Sequence, residues 1–394
     1  MALYILLEKN SYFVENRAKH EIAIIKSLNQ KRIPTVVFEK IEDVPEIFTD
    51  PKAVLLIANG INANNINYIE ICNEHNIPVI VLHDKTKAHY HYVYNLISDN
   101  EDATAATVYR YFKANKRDKI AFFGLYANSK SDISKVRSFY NVNPDFEYED
   151  IFPIKSGFEE CIADFVKRKD DYDGVYFPND FLAIAFLEYF KKNDPLYLEK
   201  CFVLGTMDTI MSRLCPVTLS SVAYTDESVK AAVSQMYRSV TSDKNVFMCM
   251  SIYLNNIIIP RESTKKSVVS STDFIPIIPR QNGSLKFEKV DKYKHQDDPA
   301  LRDIFDLENL FLGRKPIDLL IIYMFLKGYS NSVITDKLFL TPQALNSHKN
   351  NYFKKVGCSE KSEFIEKVSK YVSLKNLEEY IQYISEDFTD FSNY

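Results

Sequence analysis

The chain has 394 residues, too many for one ordinary domain, and its 46% hydrophobic and 26% charged residues with a formal net charge of -4 exclude a wholly disordered polypeptide. The N-terminal MALYILLEKNSYF has no basic stretch before its apolar run and no small-residue cleavage site, so it does not read as a signal peptide, and no run of about 18 apolar residues is present to span a membrane. The cysteines, at 72, 161, 201, 215, 249 and 358, have neither CxxC nor metal-like spacing; buried free thiols are expected, in a soluble cytoplasmic protein without metal or cofactor.

Over the first 110 residues short apolar runs alternate with segments of helical spacing. LYILLE (3–8), TVVFE (35–39), AVLLIANG (53–60) and PVIVLHD (78–84) have the near-continuous apolar character of strands covered on both faces. ENRAKHEIAIIKSLNQK and NNINYIEICNEHN, between them, repeat their apolar residues at helical intervals. Strands spaced by helices predict βαβ units and a mostly parallel sheet. A second series starts near residue 100 with the helix EDATAATVYRYFKANKRD and the strand KIAFFGLY (119–126). It continues with the helix GFEECIADFVKRK, the strand GVYFP (174–178), the helix FLAIAFLEYFKKN, the strand CFVLGTM (201–207) and the helix ESVKAAVSQMYRSV. The fold class expected is α/β: a two-lobed domain with parallel sheets over 1–270, whose ligand lies in the crevice outside the carboxyl ends of the strands.

From about 265 the pattern breaks into a polar stretch with Pro and Lys, expected to be a linker over 271–300. An all-α region follows over 301–371, then an acidic helical tail over 372–394, whose LEEYIQYI spacing suits packing against the sensor or a partner. From Gly313 to Tyr371 there are ten Lys or Arg against five Asp or Glu, a basic module on an acidic body, which is the footprint of nucleic-acid contact. Gly328 ends one helix; Ser330 or Asn331 caps the next, which turns Val333, Ile334, Leu338 and Leu340 inward. Thr341 then caps a helix with Pro342 at its first position, with Leu345, Tyr352 and Phe353 inward and Gln343, Asn346, Ser347, Lys349 and Asn350 outward. Two short helices joined by a tight turn, the second with an amide-rich outer face, predict a helix-turn-helix. Asn and Gln pair with adenine edges, and Lys349, Lys354 and Lys355 neutralise phosphates; TPQALNSHKNNYFKKVG carries no carboxylate to repel them.

The run GYSNSVITDKLFLTPQALNSHKNNYFKKVGC resembles the LuxR/GerE-type helix-turn-helix in its Gly-x-Ser-Asn start, its Leu-Thr-Pro turn, its His in the recognition helix and its Lys-Lys-Val-Gly end. It departs from the family at KPID, at Val333, and at Gln343 and Ala344. The resemblance implies that Thr341, Gln343, Ala344, Asn346, Ser347 and His348 face the DNA groove, beside Lys349, Lys354 and Lys355. From about 90 to 265 the chain is similar to the sugar-sensing core of the LacI/GalR family, which resembles periplasmic binding proteins. The segments that carry the likeness are LISDNEDATAATVYRYFKANKRDKIAFFG, SKVRSFY, DGVYFPNDFLAIAFLEYF, VLGTMDTIMSRLCPVTLSSV and IIPRESTKK. By that likeness Arg137, Asn179, Asp208, Asp102 and Asp99 are expected to hydrogen-bond a sugar, with Phe152 stacking on its face. Tyr12 and Phe13, after the first strand, are placed to stack from the other lobe. That family carries its DNA-binding headpiece at the N-terminus; here the C-terminal module is expected to take over the task.

These readings predict a ligand-responsive DNA-binding transcriptional regulator: a small polar molecule, a sugar, closes the lobes of a homodimer and changes the geometry of its two helix-turn-helix modules on double-stranded DNA. The alternatives are a sensor fold that assembles without ligand and a regulator of a non-sugar metabolite. A phosphorylated response regulator is rejected because Asn59 stands where the acceptor aspartate is needed. An enzyme is not expected, since the chain has no GxGxxG, P-loop, HExxH or nucleophile elbow.

Overall fold

The computed structural model describes residues 2–7, 33–58, 60–63, 65–83, 93–242, 249–267, 276–277, 280, 285, 287 and 298–386. Tyr12, Phe13 and Asn59 lie outside the described residues, as does most of the expected linker. In chain order the strands are β1 (Leu3–Leu6), β2 (Thr35–Phe38), β3 (Val54–Ile57), β4 (Val79–Leu82), β5 (Asn95–Asp99) and β6 (Ile120–Leu125). Then come β7 (Ile151–Pro153), β8 (Gly174–Tyr176), β9 (Phe202–Thr206), β10 (Ser220–Ala223), β11 (Ser251–Leu254) and β12 (Ile257–Ile259). They form two six-stranded sheets, ordered β11-β5-β4-β3-β1-β2 and β12-β10-β9-β8-β6-β7. Every neighbouring pair of the first sheet is parallel, as are β7-β6-β8-β9-β10 in the second.

The chain divides into two compact units, residues 1–107 with 224–257, and residues 108–223 with 258–394. In the first unit the strands alternate strictly. Leu3, Ile5, Val54, Leu56, Ile80 and Leu82 face one core, and Tyr4, Leu6, Leu55, Ile57, Val79 and Val81 the other. Helix α1 (Ile66–Glu74) closes the second of these with Ile69 and Cys72. A run such as VLLI is apolar throughout because neither of its faces meets water.

The second unit is built around phenylalanine. Its helices before the last sheet strands are α2 (Glu101–Ala114, which begins in the first unit), α3 (Lys130–Val142), α4 (Phe158–Val166), α5 (Asp180–Asn193), α6 (Pro195–Lys200) and α7 (Ile210–Leu214). Helix α8 (Asp226–Val240) returns to the first unit, where Val229, Val233 and Met236 cover its other core. Phe123, at the centre of β6 and fully buried, meets the rings of Phe152, Phe158, Phe165, Phe177 and Phe186 at centroid distances of 5.4–6.4 Å.

Among the described residues, six helices follow the sheets: α9 (Pro299–Phe311), α10 (Pro316–Leu326), α11 (Asn331–Leu338), α12 (Pro342–Val356), α13 (Lys361–Tyr371) and α14 (Leu374–Glu386). Ser330 caps α11 through the Val333 N–H, and Thr341 caps α12 through the Ala344 N–H, with Pro342 in the first turn and Gly357 in the left-handed conformation at the end. Leu345, Tyr352 and Phe353 are buried as expected, whereas only Ile334 of the α11 set is. These helices belong to the second unit; α9 packs on its α5 and α7, and α14 on its α7. Among the described residues no helix is long and apolar enough to cross a membrane.

Removing the central ring tests this account. Phe123→Ala should destabilise the second unit by about 3–5 kcal/mol, read as a lowered denaturant midpoint by near-ultraviolet circular dichroism; a loss well under 1 kcal/mol would show that the ring cluster relaxes around the gap.

Candidate functional site

In a parallel α/β sheet the strands deliver the chain to one edge, where the following helices begin. At that edge of the second sheet lie Asn179 and Asp180 after β8, Met207 to Thr209 after β9, and the ends of β10. Asp180 is fully buried under β9. Its Oδ2 accepts from the Thr209 N–H (2.8 Å) and hydroxyl (3.1 Å), and its Oδ1 from the Ser221 hydroxyl (2.7 Å). Only glycine at 205 leaves room for this carboxyl, since a Cβ there would stand 2.2 Å from Oδ1.

Met207 and Asp208 both have positive φ, 115° and 52°, a conformation that costs about 1–3 kcal/mol per residue away from glycine. It aims the Asp208 carboxylate at Arg213, 2.6 Å away, and at Arg261. Ser212 donates a longer bond of 3.4 Å to the same carboxylate, and the Asp208 N–H donates to Ser221. Arg261 also holds the Leu219 carbonyl, so one guanidinium joins the turn after β9 to the residue that precedes β10. Asn179 caps α5, its Oδ1 accepting from the Leu182 N–H at 3.0 Å.

The remaining expected ligand contacts are dispersed. Phe152 is buried, stacked on Phe123 and edge-on to Phe165 and Tyr172, so its faces serve the core. Arg137 is exposed on α3 and donates to the Leu285 carbonyl. Asp102 is exposed in the first turn of α2, and Asp99 ends β5 with His83 3.7 Å away. The structure thus brings Asn179 and Asp208 to one edge, with Arg213, Arg261 and Asp180 as companions that spacing alone did not single out.

Two further carboxylates reach this edge from far along the sequence. Glu308 of α9 accepts from the Ile210 N–H (3.1 Å) and the Met211 N–H (2.8 Å), one on each oxygen. Asp298 caps α9 through the Ala300 N–H and, with its other oxygen, accepts from the Phe158 N–H at 2.8 Å. The Asp-Pro pair at 298–299 signals a helix start in the sequence; nothing local signals the second bond.

On the C-terminal helices, Thr341, Gln343, Asn346, Ser347, Asn350, Lys354 and Lys355 are exposed, and Ala344 and Lys349 half-buried. Lys355 donates to the Asn309 carbonyl, tying α12 to α9. His348, expected in the groove, turns inward: its Nδ1 lies 2.9 Å from Asp318, which also accepts from the Tyr352 hydroxyl at 2.6 Å. Burial alone would raise the Asp318 carboxyl, but the Tyr352 hydroxyl, Arg314 and His348 outweigh it and hold it below the ordinary range. Among the described residues no group of His, Cys, Asp and Glu is placed to hold a metal ion. Burial pushes the thiols of Cys72, Cys201 and Cys215 up to about 12, which leaves them inert.

No protein-family model matches the sequence, and no curated protein sequence matches it. Solved structures do. The complex of the transcriptional regulator CelR with cellobiose is similar with a TM-score of 0.52 at 11% identity, over 66% of this chain and 84% of that one. The lac repressor dimer bound to operator and the anti-inducer ONPF is similar with a TM-score of 0.50 at 15% identity, over 67% of this chain and 81% of that one. A LacI-family regulator from Enterococcus faecium with bound ribose, at 16% identity and a TM-score of 0.49, covers 68% of this chain and 100% of its own. The fold is α/β, that of the two-lobed sensor of LacI-family regulators, followed by a helical C-terminal region.

Burial pushes the Asp180 carboxyl up to about 7, against the hydrogen bonds from Thr209 and Ser221 that favour the charge. The folded chain therefore keeps a proton that the unfolded chain releases near 3.8, so this group's contribution is full below that value and is lost as pH rises to about 7. Asp180→Asn, whose oxygen can accept from Thr209 while its amide donates to Ser221, should flatten the fall in urea midpoint between about pH 4 and pH 7. An unchanged slope would mean that the carboxyl is ionised in the folded chain.

Proposed function

We propose that this protein is a DNA-binding transcriptional regulator that responds to a small polar molecule, a sugar, held at the carboxyl ends of its sheet strands. Helices α11 and α12 act as the helix-turn-helix, of the LuxR/GerE type, and two chains act together on double-stranded DNA. The observation that carries this reading is the outer face of α12, where Gln343, Asn346, Ser347, Asn350 and Lys354 are exposed along a helix without one carboxylate. That face belongs to a chain whose α/β body has the fold of transcriptional regulators, one seen with cellobiose and one as a dimer on its operator. On this reading Gln343 and Asn346 contact base edges, Lys349 and Lys354 contact phosphates, and His348 acts by orienting α12 through Asp318. Asn179 and Asp208 are the sugar contacts of the second lobe.

A second reading, a sensor fold that works without ligand, has its own observation: Asp208 is already held by Arg213 and Arg261, and α9 lies on the same edge. Thermal unfolding against pentoses, hexoses, sugar acids and nucleosides separates the two. A ligand at 100 times its Kd should stabilise the chain by about 2.7 kcal/mol. Asn179→Asp keeps the cap on Leu182 but loses the amide donor, and should abolish the shift. If no compound moves the midpoint of the wild type or of Glu308→Ala, in which the hold of α9 on this edge is loosened, the ligand-free reading stands.

DNA binding is tested separately, on sequences selected from a random pool. Lys354→Ala should weaken binding to all sequences and reduce the slope of log K against log salt by about one. Asn346→Ala should relax preference at one base pair by about 1–3 kcal/mol and leave the salt slope unchanged. If both variants bind as the wild type does, α12 does not face DNA.

A further inference from the structure

One helix of the C-terminal region touches three helix starts of the second lobe in succession. Asp298 accepts from the N–H of Phe158, the first residue of α4. Phe305 packs on Phe181, the second residue of α5, with ring centroids 4.5 Å apart. Glu308 takes the N–H groups of Ile210 and Met211, the first two residues of α7. Asp298, Phe305 and Glu308 follow one another at seven and three residues, a single stripe over about 15 Å of helix. All three starts lie at the carboxyl edge of the parallel sheet, so α9 crosses the edge at which open α/β sheets take their ligands.

The far end of α7 is held from the same region. The Ser373 N–H donates to the Leu214 carbonyl, and the Asn376 amide donates to the Cys215 carbonyl at 2.7 Å, at the start of α14. Helix α7 therefore sits between Glu308 at its beginning and Ser373 with Asn376 at its end. It carries Arg213, whose guanidinium is bound to Asp208.

We infer that α9 and α14 together form an intramolecular cover over the carboxyl edge of the second sheet, and that a small ligand binds at this edge only when the cover lifts. This inference rests on the proposed sugar-responsive regulator and names its regulation. Docking of the C-terminal helices and occupation of the edge exclude one another, so the ligand acts on the helix-turn-helix by displacing it from the lobe. Helix α7 is the connecting element: lifting Glu308 and Asn376 frees it, and Arg213 with it, which opens Asp208 to a hydroxyl donor.

The test is native-state hydrogen exchange on the full chain. Glu308→Ala removes a charged acceptor from one buried and one partly buried donor and should speed exchange about tenfold across 299–311, 374–386 and 210–214 together. Peptides from β9 and β10 should keep their protection. Glu308→Gln retains one acceptor oxygen and should give a smaller rise over the same segments. Unchanged exchange in both variants, or a rise that spreads equally into β9 and β10, overturns the cover as a separate element. In the second arm, any sugar that raises the wild-type melting point is added before exchange. Faster exchange over 299–311 supports displacement; unchanged or slower exchange there overturns it while leaving the sugar-responsive reading intact. If no sugar shifts the wild type but one shifts Glu308→Ala, the cover is supported. If none shifts either protein, the sugar reading fails, and the exchange pattern of the two variants still decides the cover.

Discussion

Every helix that follows a strand of a parallel sheet begins with backbone N–H groups that have no partner within the helix, and the topology collects these beginnings at one edge. Burying that edge without acceptors would cost about 1–3 kcal/mol for each donor left bare. The second lobe answers first with local caps: Ser129 for Asp132, Asn179 for Leu182 and Thr209 for Ser212. Each cap satisfies one N–H of its first turn. Donors that no local cap reaches are taken from a distance, at Phe158 by Asp298 and at Ile210 and Met211 by Glu308. Other features of the edge follow from the same crowding. Gly205 is bare so that Asp180 can tuck beneath β9, and the two left-handed residues after β9 turn the Asp208 carboxylate onto two guanidinium groups.

The same demand explains why the C-terminal helices form one unit with the lobe. Helix α10, PIDLLIIYMFL, is apolar around most of its circumference, with Leu319, Ile321, Ile322 and Phe325 buried. A helix of that kind needs cover on several sides. Phe364 of α13 meets Phe325 on one of them, and α14 packs on α10 with Leu377 and Ile381 buried. The polar residues inside this bundle are paired: Asp318 receives Tyr352, His348 and Arg314, at 2.6, 2.9 and 3.9 Å. Two of these partners lie on α12 one turn apart, so the node sets the rotation of α12 and thereby which of its side chains stay outside.

Much of this was legible in the sequence because it is written in nearest neighbours along the chain. The strands 54–57 and 79–82 are continuous apolar runs, and Thr341-Pro342 and Gly357 bracket α12 by rules that act within one turn. The tail helix was visible in its spacing, with the sensor as one expected partner; it packs on α7 of the second lobe and also on α10, which spacing did not point to. What escaped depends on residues distant in sequence. Phe152 stands in a strand beside aromatic neighbours contributed by 123, 165 and 172, and only their convergence makes it a core residue. Arg137 sits on α3 with its guanidinium toward Leu285, a pairing across 148 positions. Glu308 and His348 were equally opaque: each is a polar residue within a helix, yet each is turned to a buried partner.

The carboxylate of Asp208 sets a limit on how any ligand can be recognised here. Its two oxygens already receive Arg213, Arg261 and Ser212, and its side chain is nearly closed to solvent. These three donors leave one acceptor site on Oδ2, but Arg213 stands on that oxygen, and where a sugar hydroxyl takes its place the guanidinium so released must find another partner or water. Charge-assisted bonds to carboxylates are roughly twice as strong as neutral ones, so a neutral polyol does not displace Arg213 by a single hydrogen bond. Clearing that oxygen takes a movement that carries Arg213 away, and Arg213 is fixed to α7, whose two ends are held by the C-terminal helices. Recognition and release are therefore one equilibrium on the proposed reading. If the covered state holds about 99% of the chains, the apparent affinity falls about 100-fold below that of the open lobe, and a substitution that loosens the cover raises affinity without touching the ligand.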